Sequence, residues 1–308
     1  MIKRTLFLSS DAYLRTKDKQ MLIEFADKDK PVASVPIEDV GVIVMEAYQM
    51  TISLNLISRL LDNNVAIITC NSRKMPQGLM LNLDGNTLQQ ERFKAQISSS
   101  LPLKKQLWQQ TVKSKIRNQG GLLVRLNLVD NVDNRMPRNM EQWATSVRSG
   151  DPDNFEARAA AFYWQHIFRA FVPDFIRGRE APNPNNLLNY GYAVLRAVTA
   201  RALVASGLLP TLGIHHHNKY NAYALADDIM EPYRPYVDKI VYRIVEAHAT
   251  TKDYELTGEI KAELLQVPAV DVMIDGEKSP LMIAMQRTTA SVYQCFAGNS
   301  RKILYPEI

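Results

Sequence analysis

Cysteine is nearly absent from this chain of 308 residues; Cys70 and Cys295 are the only two. They lie far apart and in no metal-ligand or redox spacing, which argues against a structural zinc and points to a reduced, cytoplasmic protein. Long apolar runs are missing as well. The opening Met1-Ile2-Lys3-Arg4-Thr5-Leu6 lacks the apolar stretch of a signal peptide. The most apolar long segment, Tyr192 to Leu209, carries Arg196 and Arg201 inside it. Two arginines mid-span are costly in lipid, so the segment reads as a buried helix and no membrane association is expected. There is no Gly-rich phosphate loop of the Walker kind, no internal repeat and no low-complexity linker.

What is present is a sizeable hydrophobic fraction, 46%, and a net charge of +5. The first allows a proper core, and the second favours a polyanionic partner without requiring one. The first part of the chain reads as β-rich. Arg4 to Leu8, Leu22 to Phe25, Val40 to Met45 and Val65 to Cys70 are short β-branched or aromatic runs, and Gly78 to Leu83 is the last strand candidate, closed by Asp84-Gly85-Asn86. One helix interrupts them: Ser53, Leu56, Ile57, Leu60 and Leu61 recur at helical spacing until Asp62-Asn63-Asn64. From about Thr87 the texture turns to amphipathic helix. The pattern predicts an α+β protein, with a small N-terminal β-rich, β-sandwich-like domain (1–88) followed by a larger all-α domain (89–308). The boundary falls between residues 85 and 92.

Three segments could carry chemistry. In Gly150-Asp151-Pro152-Asp153-Asn154-Phe155-Glu156-Ala157-Arg158 a helix starts, and Glu156 is the candidate acid. Asp153 and Glu156 also have capping-box spacing, which would commit Glu156 to a backbone donor. Against this, Ala157, Ala159, Ala160 and Ala161 leave a small-residue surface that something large can approach. Gly213-Ile214-His215-His216-His217-Asn218 holds three of the chain's five histidines. Imidazole ligates metals, yet three consecutive side chains cannot all face one ion, so one or two at most are functional and the rest belong to a polar loop. In Ala226-Asp227-Asp228-Ile229-Met230-Glu231-Pro232-Tyr233-Arg234-Pro235, Asp228 and Glu231 are three apart and would share a helix face. An acidic first turn favoured by the helix dipole is the plain alternative. Pro232 and Pro235 force that helix to bend or end beside its acids, as strained functional segments often do.

Taken together, Glu156, His216, Asp228 and Glu231 form a mixed oxygen and nitrogen donor set. Carboxylates suit Mg²⁺ or Mn²⁺, and an added imidazole shifts the preference toward Mn²⁺. Such an ion can activate the attacking oxygen and stabilise the leaving one in a displacement at phosphorus. Basic residues supply the means to hold a phosphate backbone: Lys104, Lys105, Lys113, Lys115 and Arg117 in the first helical segments, and Arg158, Arg177, Arg196 and Arg234 nearer the acids.

These segments, in this order, resemble the CRISPR spacer-acquisition integrase family, the first CRISPR-associated protein of the adaptation module, in its type II flavour. Ser100-Leu101-Pro102-Leu103-Lys104-Lys105-Gln106-Leu107-Trp108 and Leu187-Leu188-Asn189-Tyr190-Gly191-Tyr192 carry the resemblance alongside the histidine and acid-proline segments. It implies homodimers assembled with a small second adaptation protein of ferredoxin-like fold. It implies a metal held by Glu156, His216 and Glu231, with Asp228 as a further ligand. It also implies strand transfer, in which the 3′-hydroxyl of a captured DNA fragment attacks the end of a CRISPR repeat. His215 competes with His216 for the ligand position, and Asp227 with Asp228. A general metal-dependent nuclease on branched or single-stranded DNA, and a non-catalytic DNA-binding scaffold, are the competing functions.

Overall fold

The computed structural model describes residues 3–129 and 136–308, and the chain divides into two units, Met1–Thr87 and Leu88–Ile308. In the first unit the strands are Arg4–Leu8 (β1), Ala12–Lys17 (β2), Gln20–Phe25 (β3), Ala33–Pro36 (β4), Val40–Met45 (β5) and Thr51–Ile52 (β6). A helix, Leu54–Asp62 (α1), separates these from Ala66–Cys70 (β7) and Pro76–Met80 (β8). They pair as two four-stranded sheets, β1-β5-β7-β8 and β4-β3-β2-β6. Strand β5 runs parallel to both β1 and β7, and five of its six residues are buried. This is why its sequence, Val-Gly-Val-Ile-Val-Met, is apolar without alternation. One core cluster draws Leu14, Met21 and Ile23 from one sheet, Ile43 and Ile67 from the other, and Leu56 and Leu60 from α1. Ser53 caps α1 by accepting from the Leu56 N–H. The last strand lies earlier than the apolar run Gly78 to Leu83 suggests. It ends at Met80, because Asn82 leaves the sheet to donate to the Leu61 carbonyl.

The second unit is mainly helical. Its helices are Gln89–Ile97 (α2), Leu101–Arg125 (α3), Arg138–Ser146 (α4), Phe155–Ile167 (α5), Asn185–Ala205 (α6), Ala224–Met230 (α7), Arg234–Ala247 (α8) and Gly258–Leu264 (α9). Two short strands, Asp271–Ile274 (β9) and Glu277–Pro280 (β10), then lead into Leu281–Phe296 (α10) and a final strand, Pro306–Glu307 (β11). The small sheet β10-β9-β11 is an addition to the all-α domain expected from sequence. Its strands are only two to four residues long, too short to show a period-two pattern. Helix α6 is buried around most of its circumference, as its apolar sequence requires. No helix among the described residues is long and apolar enough to cross a membrane. Helix α3 opens on Ser100, whose hydroxyl accepts from the Leu103 N–H, with proline in the first turn. It packs on α4, α5 and α8, so one long helix faces the segments that carry Glu156 and Glu231.

Candidate metal centre

Glu156 sits in the first turn of α5. Its backbone N–H and that of Phe155 are capped by the Asp151 carboxylate, at 2.9 and 3.0 Å. Asp153, which the capping-box spacing pairs with Glu156, instead forms a two-pronged bond with Arg148. The Glu156 carboxylate is therefore released from capping, and its Oε1 accepts from the Lys115 ammonium at 2.7 Å.

Asp228 and Glu231 do not act on a common face. Pro232 lacks the N–H that would bond the Asp228 carbonyl, so the α-helical ladder stops. α7 ends at Met230, a 3₁₀ turn spans Glu231–Tyr233, and α8 begins with Pro235 in its first turn. The buried Asn118 of α3 donates to the Pro232 carbonyl at 2.7 Å and fixes this step. Asp228, wholly buried, turns to the histidine loop. Its Oδ2 accepts from the N–H groups of Ile214 and His215, and its Oδ1 from the His216 N–H and from the His216 ring Nδ1 at 2.5 Å. Gly213 lets that loop close, since a Cβ there would lie 2.5 Å from the His216 carbonyl and 2.8 Å from Asp228 Oδ2.

The three histidines are thereby separated. His215 stacks on the buried Trp108, with ring centroids 4.1 Å apart and planes 1° from parallel. Burial and the neighbouring His216 lower its pKa. The His216 ring is bonded to Asp228 through Nδ1, which leaves Nε2 without a hydrogen-bond partner among the described residues. That bond raises its pKa against the opposing effect of burial, and the Glu231 and Glu156 charges add to the rise, so the ring lies within the field of both acids. His217 is exposed.

Glu231 is the most enclosed of the acids that face the centre. Its Oε1 meets Arg234 Nη2 at 2.9 Å, and its Oε2 lies 2.6 Å from Lys115 Nζ. The second contact is an ion pair in which charge contributes more than directional bonding. Burial pushes the Glu231 carboxyl up, but Arg234 and Lys115 outweigh it and hold the pKa below the usual carboxylate range. For Lys115 burial pulls the pKa down, and Glu231 and Glu156 together raise it, so the ammonium stays charged. A single cation thus bridges two carboxylates from distant parts of the chain. Lys115 was visible in sequence only as one more basic residue of α3; nothing in its spacing distinguished it from Lys113 or Arg117. Among the described residues no group of three or more His, Cys, Asp or Glu side chains is arranged to hold a metal ion with Lys115 in place.

The other basic candidates divide. Lys104, Lys105 and Lys113 on α3 and Arg158 on α5 enter no ion pair among the described residues, and Arg158 is exposed over the Phe155 ring. Arg234 is committed to Glu231 and stacks over Tyr192, and Arg196 is paired with Asp227. Asp227 also accepts from Asn221, further along the connection that carries the histidines.

A further buried acid ties together the helices that carry the centre. Asp238 of α8 accepts from Tyr163 of α5 at 2.8 Å and from Tyr192 of α6. Burial raises its pKa to about 6, although both phenol hydrogen bonds work in the opposite direction. The folded value lies above the unfolded one, so between about pH 4 and 6 the folded chain keeps a proton that the unfolded chain releases. Stability from this group should fall as pH rises through that window and level off above it. The span is roughly 3 kcal/mol for a shift of about two units. Asp238→Asn should flatten this part of the stability profile in denaturant titrations across the window. An unchanged slope would assign the pH dependence elsewhere.

Comparison with known proteins places these features in context. The family described as CRISPR associated protein Cas1 matches residues 6–270. The chain is 33% identical over 314 residues to the CRISPR-associated endonuclease Cas1 of Neisseria meningitidis serogroup C (strain 8013), covering 100% of this chain and 97% of the relative. In fold it is similar to a casposase bound to integration product, with a TM-score of 0.78, 19% identity and coverage of 97% of this chain and 92% of the other. It also matches part of a Cas6-RT-Cas1–Cas2 complex, with a TM-score of 0.73, 19% identity and coverage of 100% of this chain and 37% of the other.

Proposed function

Because the chain belongs to the CRISPR-associated protein Cas1 family, we propose that it is a metal-dependent integrase of CRISPR adaptation, which inserts foreign DNA fragments as new spacers at the CRISPR repeat. The observation that carries this reading is the convergence of Glu156 and Glu231 on one cation, with the His216 ring in the field of both. The donor set fits a hard divalent ion. Two carboxylates already share a cation, and one imidazole nitrogen has no hydrogen-bond partner among the described residues. Glu156, Glu231 and His216 Nε2 would hold Mg²⁺ or Mn²⁺. Bound there, the ion would supply charge stabilisation at the reacting phosphate and activation of the attacking oxygen.

The chain's own residues supply orientation. Asp228 fixes the His216 tautomer and ring plane from behind, the usual role of a carboxylate behind a ligating histidine. Arg234 anchors Glu231 through one oxygen and leaves the other facing the centre. Lys104, Lys105, Lys113 and Arg158 would neutralise backbone phosphates. The reaction is transesterification: the 3′-hydroxyl oxygen of the captured fragment bonds to the phosphorus at the end of the repeat, and the bond from that phosphorus to the 3′ oxygen of the flanking nucleotide breaks. One phosphodiester replaces another, so no covalent enzyme intermediate is required.

The proposed partners are prespacer and repeat DNA, a second copy of the chain joined through the N-terminal unit, and the small ferredoxin-like second adaptation protein, all in the cytoplasm. The casposase and the Cas1–Cas2 complex that share this fold are named for integration product and for such an assembly. A second reading is endonuclease activity at the same centre, with water in place of the 3′-hydroxyl; the Neisseria relative is named an endonuclease. The test combines the purified chain, its small partner, a duplex with 3′ overhangs and a repeat-bearing plasmid. Joined DNA is expected with Mn²⁺ or Mg²⁺ and should vanish with a chelator. Cleavage without joining would leave only the nuclease, and DNA binding indifferent to chelator would leave only a scaffold.

A further inference from the structure

We propose that Lys115 is a resident counter-cation that exchanges with the divalent ion, so that metal affinity is set by displacing one ammonium from between Glu156 and Glu231. The proposal rests on the metal reading above and concerns how that centre is loaded.

The case begins with charge. Glu231 is almost fully buried, and Glu156 is mostly covered. Two carboxylates brought this close repel strongly unless a cation lies between them, and a buried unpaired charge is expensive. Lys115 supplies that cation, 2.7 Å from Glu156 Oε1 and 2.6 Å from Glu231 Oε2, with its own side chain only 12% exposed. Together with Arg234 it balances the charges of Glu156 and Glu231. A dication held by the same oxygens would sit beside a fixed positive charge unless the lysine moves.

The chemistry of the two cations assigns them different roles. Arg234 holds Glu231 Oε1 through a planar guanidinium stacked over Tyr192. Lys115 is a point charge on a flexible four-carbon stem. Its contact with Glu231 Oε2, at 2.6 Å, is held more by charge than by a directional bond.

An independent observation shows where the displaced ammonium can go. Gln119 lies one helical turn beyond Lys115 on α3, the spacing at which side chains of one face meet, and side chains on a helix lean back toward the preceding turn. Gln119 is buried, yet its Oε1 has no hydrogen-bond partner among the described residues. A buried acceptor of that kind is costly to leave unmet. An ammonium leaving the carboxylates by one turn would satisfy it.

The experiment measures Mn²⁺ binding directly, by titration calorimetry and by the Mn²⁺-induced shift in thermal midpoint, on the full chain and its Lys115→Gln, Lys115→Arg and Gln119→Leu variants. Lys115→Gln should bind Mn²⁺ at least about tenfold more tightly, a modest part of the Coulomb repulsion removed. It should also show a larger thermal shift, even if the variant is destabilised before metal is added. Lys115→Arg keeps the charge and should not bind more tightly. Gln119→Leu removes the landing site and should bind several-fold more weakly. Equal or weaker Mn²⁺ binding by Lys115→Gln, with the unaltered chain binding normally, would overturn the exchange and make Lys115 a structural support. Absence of Mn²⁺ binding in every form would overturn the metal reading itself, and the exchange with it.

Discussion

Glu156→Gln should give a folded protein that has lost strand transfer by about 10³-fold or more, the scale of removing a charged group from a phosphoryl-transfer centre. The glutamine keeps the shape of the side chain and an acceptor for Lys115, and the position is partly open to solvent, so stability should change by no more than about 1 kcal/mol. Glu231→Gln provides the contrast. That carboxylate is buried between Arg234 and Lys115, and neutralising it leaves Arg234 without its partner and Lys115 with Glu156 alone. Its loss of activity should come with a loss of stability of about 3–5 kcal/mol. Initial rates of joined product, read beside thermal unfolding curves, separate the two variants. Strand transfer by Glu156→Gln within tenfold of the unaltered chain would remove Glu156 from the centre.

Asp228→Asn is expected to be the next most damaging change, for a different reason. The carboxylate accepts from three backbone N–H groups and one imidazole, all on the loop that presents His216. An amide places a donor where one of these acceptors stood, and buried N–H groups then face it unpaired. Activity should fall roughly 10- to 100-fold, the usual effect of losing the group behind a ligating histidine. If Asp228 works by orienting His216, adding Asp228→Asn to His216→Ala should cost little beyond His216→Ala alone. Additive losses would instead make Asp228 a direct participant. Both single variants need unfolding curves, because the loop and its carboxylate also stabilise the fold.

Much of the architecture was legible before any coordinates. The β-branched run Val40 to Met45 reads as a strand, and it lies between two parallel neighbours. The heptad-like spacing of Leu56 and Leu60 reads as a helix, and α1 buries just those two. The helical texture after Thr87 is equally plain, because a 3.6-residue period is a property of the local chain. The small sheet β10-β9-β11 escaped notice, since its strands are held by partners remote in sequence rather than by any pattern of their own.

At the centre the division is sharper. The residue types, a glutamate after an Asp-Pro turn, a histidine run behind a glycine, and acids ahead of two prolines, are fixed by the amino-acid sequence. So is the stop in the helical ladder at Pro232, because a missing N–H is covalent. Tertiary structure decided what each group faces. It sent Asp228 to the histidine loop and Glu231 to Arg234 and Lys115, though a continuous helix would have set both on one face. It stacked His215 on Trp108 and left one ring nitrogen of His216 without a hydrogen-bond partner among the described residues. It also chose Lys115, from several lysines along one helix, as the cation between two acids. Direction and burial of a charged side chain depend on which helices meet around it, and that meeting is governed by packing over the whole unit rather than by neighbours along the chain.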